Sequence, residues 1–179
     1  MMDNHIIPEC YLDTNMMESL LPTNKGYNHQ KGCHTVAKVM QEKFGDKFAV
    51  GIIDKDKKTP VYLKEFKQLV AKYNVELYKH PIKHHYLILH PVIEHWLVYE
   101  CEQVNLLMED YNLPNNTYEL EKHSKPVTSK NDERFKRLFK ALKKNNAKGI
   151  TLLFEWTDYI TKNPYNADET ILINIGNAS

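Results

Sequence analysis

The chain has 179 residues, 26% of them charged and 42% apolar, and a formal net charge of +1. That length is enough to bury a core as one domain without disulfides, and the balanced charge excludes a domain that binds nucleic acid through overall basicity. No apolar run is long enough to span a bilayer, residues 1–9 lack the pattern of a secretory signal, and Cys10, Cys33 and Cys101 fit reduced thiols rather than a Cys-x-x-Cys zinc site; the expectation is a cytoplasmic protein without membrane contact.

Glu9, Cys10, Tyr11 and Leu12 read as a short first strand. Asp13, Thr14 and Asn15 follow as a polar break that can cap a helix starting at Met16. Residues 22–32 carry Gly26 and Gly32 and read as a loop with room for a short strand. From Cys33 the apolar positions Val36, Val39, Met40 and Phe44 recur at helical spacing until Gly45. Residues 48–53 form an apolar strand, and it empties into Asp54, Lys55, Asp56, Lys57 and Lys58. Leu63, Phe66, Leu69 and Val70 then mark one face of a helix over 61–73. Residues 75–78 and 84–90 are strands, the second closed by Pro91, and residues 92–99 open a helix. This alternation predicts an α/β fold with a mainly parallel central sheet flanked by helices.

Beyond Asn112 a polar linker with Pro114 and Pro126 leads to a helix over 131–145 and another over 150–160. Residues 170–175 read as a last strand or an ordered tail. The chain is read as a single domain, 1–179, with an α/β core over 1–110 and a C-terminal helical extension over 111–179. Lys136, Arg137, Lys140, Lys143, Lys144 and Lys148 read as the wet face of a helix.

Three acids fall at predicted strand ends: Asp13, Asp54 and Asp56. In open α/β sheets ligands bind beyond the carboxyl ends of the strands. Side chains two apart on extended backbone share a face, so Asp54 and Asp56 can hold one cation together. Hard ions such as Mg²⁺ take carboxylate oxygens and keep several waters. The plainer alternative is a strand ending in a solvated Asp-Lys turn.

The order of strand, acid, helix, a Gly-containing segment opening a helix (Lys31, Gly32, Cys33, His34, Thr35, Val36) and an apolar strand ending in Asp-x-Asp resembles the TOPRIM domain of topoisomerases, primases and overcoming-lysogenization-defect nucleases. The resemblance extends over about the first hundred residues. It implies a Mg²⁺-dependent (or Mn²⁺-dependent) nuclease-like phosphodiester enzyme, with Asp54 and Asp56 as metal ligands. In that family a glutamate after the first strand acts as general acid or base. Asp13 takes its position here, as both third ligand and catalytic acid, one methylene shorter and followed by Thr14 rather than glycine. Lys57, with Lys55 and Lys58 as alternatives, would stabilise developing charge. Pro91, Glu94 and Trp96 are similar to a segment of nuclease-like relatives, which makes Glu94 a fourth acid, while a helix dipole alone would also favour a carboxylate there. Implied partners are nucleic acid and a companion protein with an ATPase or DNA-binding domain. The alternative from another class is a non-catalytic TOPRIM-like interaction module in a defence or DNA-processing complex.

His80, His84, His85, His90 and His95 are dense in sequence but form no His-Glu-x-x-His of a metalloprotease site. They read as surface or satisfied core histidines, with zinc as the minor alternative. The eleven tyrosines read mostly as core and rim packing rather than as a base-stacking channel.

Overall fold

A computed structural model describes residues 5–24, 26–55 and 58–177. Asp56 and Lys57, assigned above to metal binding and charge stabilisation, lie outside these described residues.

Five strands, β1 (Ile6–Pro8), β2 (Ala49–Asp54), β3 (Lys67–Lys72), β4 (Val75–Lys79) and β5 (His85–His90), form one sheet in the order β1-β2-β5-β4-β3. The β1–β2 and β2–β5 pairs are parallel, whereas β4 runs antiparallel to both β5 and β3. The fold is α/β, but the sheet is mixed rather than mainly parallel. The cause lies in residues 61–73, which form no helix: Val61–Glu65 is a short 3₁₀ turn, and β3 follows it. Tyr73 and Asn74 both take positive φ, 50° and 64°, as the tight turn of a hairpin requires. A hairpin returns antiparallel, where a crossover helix would have returned parallel.

The first strand also differs from its expected position. β1 ends at Pro8, and Tyr11–Leu20 is the helix α1. Cys10 is its N-cap: the Asp13 N–H donates to Cys10 Sγ at 3.2 Å and the Cys10 N–H donates to Asp13 Oδ2 at 3.2 Å. This reciprocal capping box closes two of the helix's orphan donors. Asp13 therefore sits in the first turn of α1, not at a strand end. The segment after α1 satisfies the outer edge of β1, with the Asn28 and Gln30 N–H groups donating to Ile6 O and Pro8 O.

The expected helix after Cys33 is present as α2 (Cys33–Lys38), and it widens into a π-helical segment over Val39–Phe44 before Gly45 turns the chain. This layer buries Val36, Ala37 and Met40 against Ile53 and Leu87 on one face of the sheet. The approach is close because Gly51 has no side chain: a Cβ there would lie 2.9 Å from Met40 Sδ.

The opposite face carries the larger core. It is covered by α1, α3 (Ile93–Gln103), α5 (Glu133–Lys144) and α6 (Lys148–Lys162), which bury Met16, Trp96, Leu97, Phe135, Phe139, Leu153 and Trp156 against Val50, Ile52, Leu77 and Ile88. The polar linker contains a further helix, α4 (Thr117–Ser124), and a 3₁₀ turn over Val127–Asn131. Asn15 fixes α1 to this region through bonds from Nδ2 to Ser129 O at 2.7 Å and Asp132 O at 3.1 Å. Residues 170–175, read as a strand or tail, are mostly helix, α7 (Glu169–Asn174), anchored by the Trp156 indole N–H donating to Leu172 O at 3.0 Å. No helix among the described residues is long and apolar enough to cross a membrane.

Candidate metal centre

Register alone brings two site residues together. β2 and β5 are parallel neighbours in which Asp54 pairs with His90, the last residue of each strand. Paired residues of a parallel ladder present their side chains to the same face, here the face carrying α1 and α3. Pro91 then stops β5, and α3 starts at Ile93. The capping box that opens α1 holds Asp13 by Oδ2 and leaves Oδ1 without a hydrogen bond. His90 Nε2 lies 3.2 Å from that Oδ1, and His90 Nδ1 lies 3.4 Å from Asp54 Oδ1.

Asp13 and His90 are buried, and Asp54 is partly exposed. One ligand atom from each of the three lies within 4.8 Å of the others. The short approach between His90 and Asp13 is not aligned as a hydrogen bond. Asp13 Oδ1, Asp54 Oδ1 and His90 Nε2 are buried with no hydrogen-bond partner among the described residues. Three buried polar atoms without an aligned hydrogen bond are costly, and here the ion-pair approach of His90 to the two aspartates is what offsets that cost in the absence of a cation.

The imidazole is held from two sides. Its Nδ1 lies 2.7 Å from Pro91 O; since a carbonyl only accepts, Nδ1 carries a hydrogen. The ring stacks on Trp96 with centroids 5.0 Å apart and planes 17° from parallel. The indole N–H in turn donates to Glu100 Oε1 at 3.1 Å. Glu100 also accepts from the Gly149 N–H at 3.2 Å, closing the start of α6, whose N-cap residue Ala147 offers no side-chain acceptor. Nε2 is thus the one ring nitrogen available to the cluster, as in metal sites where a backbone carbonyl fixes the histidine tautomer.

A further acid escapes the strand-end reading of the sequence. Glu9 follows β1 directly, its N–H continues the ladder to Ile52 O at 3.0 Å, and its Oε2 accepts from the Asp54 N–H at 2.8 Å. Burial raises the Glu9 carboxyl above its ordinary value, with Asp13 adding to the effect and the Asp54 amide opposing it. Asp54 is raised as well, by burial first and then by Asp13, Glu9 and Glu94, despite the opposing pull of His90. Burial alone would lower His90, but Asp13 and Asp54 outweigh it and push the imidazole up to about 9. The corner holds an excess of negative charge that attracts protons or a cation.

Glu94 occupies the first turn of α3 and accepts a hydrogen bond from the Ser124 hydroxyl at the end of α4. It lines the same pocket as Glu9 and Asp54, a cavity of about 510 Å³ that also meets Lys31 and Lys125. Lys55 turns away and pairs with Glu76 on β4. Cys10 lines the pocket too, but burial and the neighbouring Asp13 raise its thiol well above the ordinary value, which keeps it from serving as a thiolate.

Comparison with protein-family models, with curated proteins and with solved structures finds no match to this chain. The reading therefore rests on this corner. Of the residues named from sequence, Asp13 and Asp54 come together, and Glu94 shares the pocket wall with Asp54. Sequence reasoning missed Glu9 and His90. The Ile6-Ile7-Pro8 apolar stretch before Glu9 was the available signal for the first, and the strand-ending position of His90 before Pro91 was the signal for the second. Of the other dense histidines, His80 pairs with Glu65 at 3.2 Å and His85 meets the Tyr62 hydroxyl at 2.5 Å, both away from this cluster.

Proposed function

We propose that this chain is a divalent-cation-dependent enzyme of phosphodiester chemistry, nuclease-like and of TOPRIM type, with Asp13, Asp54 and His90 as ligands and Glu9 as the proton-transferring acid or base. The observation that carries the reading is the set of three buried donor atoms without a hydrogen bond, two at the carboxyl ends of adjacent parallel strands and one in the first turn of α1, with Asp54 lining a pocket. Ligands of open α/β sheets bind at such an edge. A bound cation would polarise a phosphoryl oxygen and acidify water.

The chain's own residues support the remaining steps. Glu9 stands directly after β1, where the resemblance asks for a glutamate, so Asp13 need not fill that role; Cys10 follows it in place of the family's glycine. Its carboxyl, raised by burial, holds a proton more readily than an ordinary carboxylate, which suits a proton-transferring role. Lys31 and Lys125 on the pocket wall offer positive charge to a phosphate, although Lys125 also pairs with Glu121. Glu94, held by Ser124, adds a carboxylate to the same pocket.

The test is incubation with end-labelled single- and double-stranded DNA and RNA in Mn²⁺ or Mg²⁺. The expected result is cleavage that EDTA stops, that Asp54→Asn abolishes and that Glu9→Gln slows by on the order of 10²-fold or more. Cleavage that survives Asp54→Asn overturns the assignment. Metal binding without cleavage of any of the four substrates favours the non-catalytic interaction module instead.

A further inference from the structure

We infer that the Asp13–Asp54–His90 centre takes a single divalent transition ion, of the Mn²⁺, Fe²⁺ or Zn²⁺ class, in preference to Mg²⁺. The inference rests on the metal reading above and adds to it the kind and number of ions.

The donor set sets the preference. Mg²⁺ demands oxygen ligands and holds its waters tightly. Imidazole nitrogen suits the transition ions, whose affinity for mixed nitrogen and oxygen sites rises along the first row. His90 is not a peripheral member that Mg²⁺ could ignore. Its ring is fixed by the Pro91 carbonyl at 2.7 Å and the Trp96 stack at 5.0 Å, so Nε2 cannot swing away and let a water take its place. Its 3.2 Å separation from Asp13 Oδ1 is close to the roughly 3 Å edge between neighbouring ligands on an ion with bonds of about 2.1 Å.

The count of free donors sets the number. Asp13 Oδ2 is engaged by the Cys10 N–H at 3.2 Å, and Glu9 Oε2 by the Asp54 N–H at 2.8 Å. Glu94 Oε1 is engaged by Ser124. In this corner one nitrogen and two carboxylate oxygens remain buried without a hydrogen bond: His90 Nε2, Asp13 Oδ1 and Asp54 Oδ1. Three protein ligands, of which Asp54 reaches the pocket wall, match an ion that keeps open positions for water and a substrate oxygen.

Isothermal titration of the EDTA-treated full chain with MnCl₂ and, separately, MgCl₂ tests this. The expected result is one Mn²⁺ per chain, bound on the order of tenfold or more tighter than Mg²⁺. His90→Asp should retain Mg²⁺ binding while the Mn²⁺ advantage shrinks several-fold. Because His90 is buried and that variant can misfold, electron spin-echo modulation of Mn²⁺-loaded wild type gives an independent readout: an imidazole ¹⁴N coupling is expected. Equal affinity for the two ions, two ions per chain or absence of the ¹⁴N coupling overturns the inference while leaving a metal-dependent function standing. Failure to bind either ion overturns both.

Discussion

Asp54→Asn should stabilise the metal-free protein while removing its response to metal. Burial, Asp13, Glu9 and Glu94 all disfavour the ionised Asp54, and together they outweigh the attraction of His90. A neutral isostere removes that repulsion, and its amide can donate to a neighbouring carboxylate. Relief of a poorly compensated charge of this kind is worth about 1–3 kcal/mol, which for a chain of this size corresponds to roughly 2–12 °C in Tm. The folded-state value of Asp54 lies above the ordinary 3.8, at about 8. The penalty is therefore absent below the unfolded value and grows as pH rises toward the folded one. The stabilisation should be largest near pH 8 and fade toward pH 4. Scanning calorimetry of both proteins after EDTA dialysis, with and without millimolar Mn²⁺, reads this out: Mn²⁺ should raise the Tm of wild type and not of the variant. A metal-free Asp54→Asn protein that melts several degrees below wild type at pH 8 would refute the reasoning, because Asp54 would then be the structural counter-ion of His90.

Glu100→Ala should cost about 2–4 kcal/mol in urea unfolding, since it strands both the Trp96 indole N–H and the Gly149 N–H; Glu100→Gln, which keeps an acceptor, should cost less. Gly51→Ala should cost about 1–3 kcal/mol, because its Cβ would meet Met40 Sδ at 2.9 Å, Leu87 Cδ1 at 3.0 Å and Val36 Cγ1 at 3.1 Å; no loss would show that α2 can move off the sheet. His90, raised from 6.5 to about 9, contributes stability that is fully present below its ordinary value and lost as pH climbs through the folded one. The Tm of metal-free wild type should accordingly fall between about pH 6.5 and 9, and His90→Gln should flatten that slope.

Periodicity carried the sequence reading wherever one face of an element is buried. β2, β5, α2, α3, α5 and α6 were legible for that reason; Asp13 was expected beside Asp54 from a strand end it does not occupy, and it reaches that place from the first turn of α1. Two elements misled. Leu63, Phe66, Leu69 and Val70 fit a helical period, yet Tyr73 and Asn74 form a tight turn without the Asn-Gly pair that would announce it. At the start, a cysteine N-cap with aspartate at the third helical position replaced the Ser/Thr and Glu of a standard capping box, so the helix was placed five residues late. That slip moved the first strand and hid Glu9. His90 was hidden differently: its pairing with Asp54 depends on the β2–β5 register, and nothing local in the sequence expresses that.

Diffraction from crystals soaked in Mn²⁺, recorded at the manganese absorption edge, bears most directly on the centre itself. One anomalous peak within about 2.3 Å of Asp13 Oδ1, Asp54 Oδ1 and His90 Nε2 is the predicted result. A corner without a peak at saturating Mn²⁺, with His90 still paired to both carboxylates, would mean that a buried imidazolium alone balances their charge.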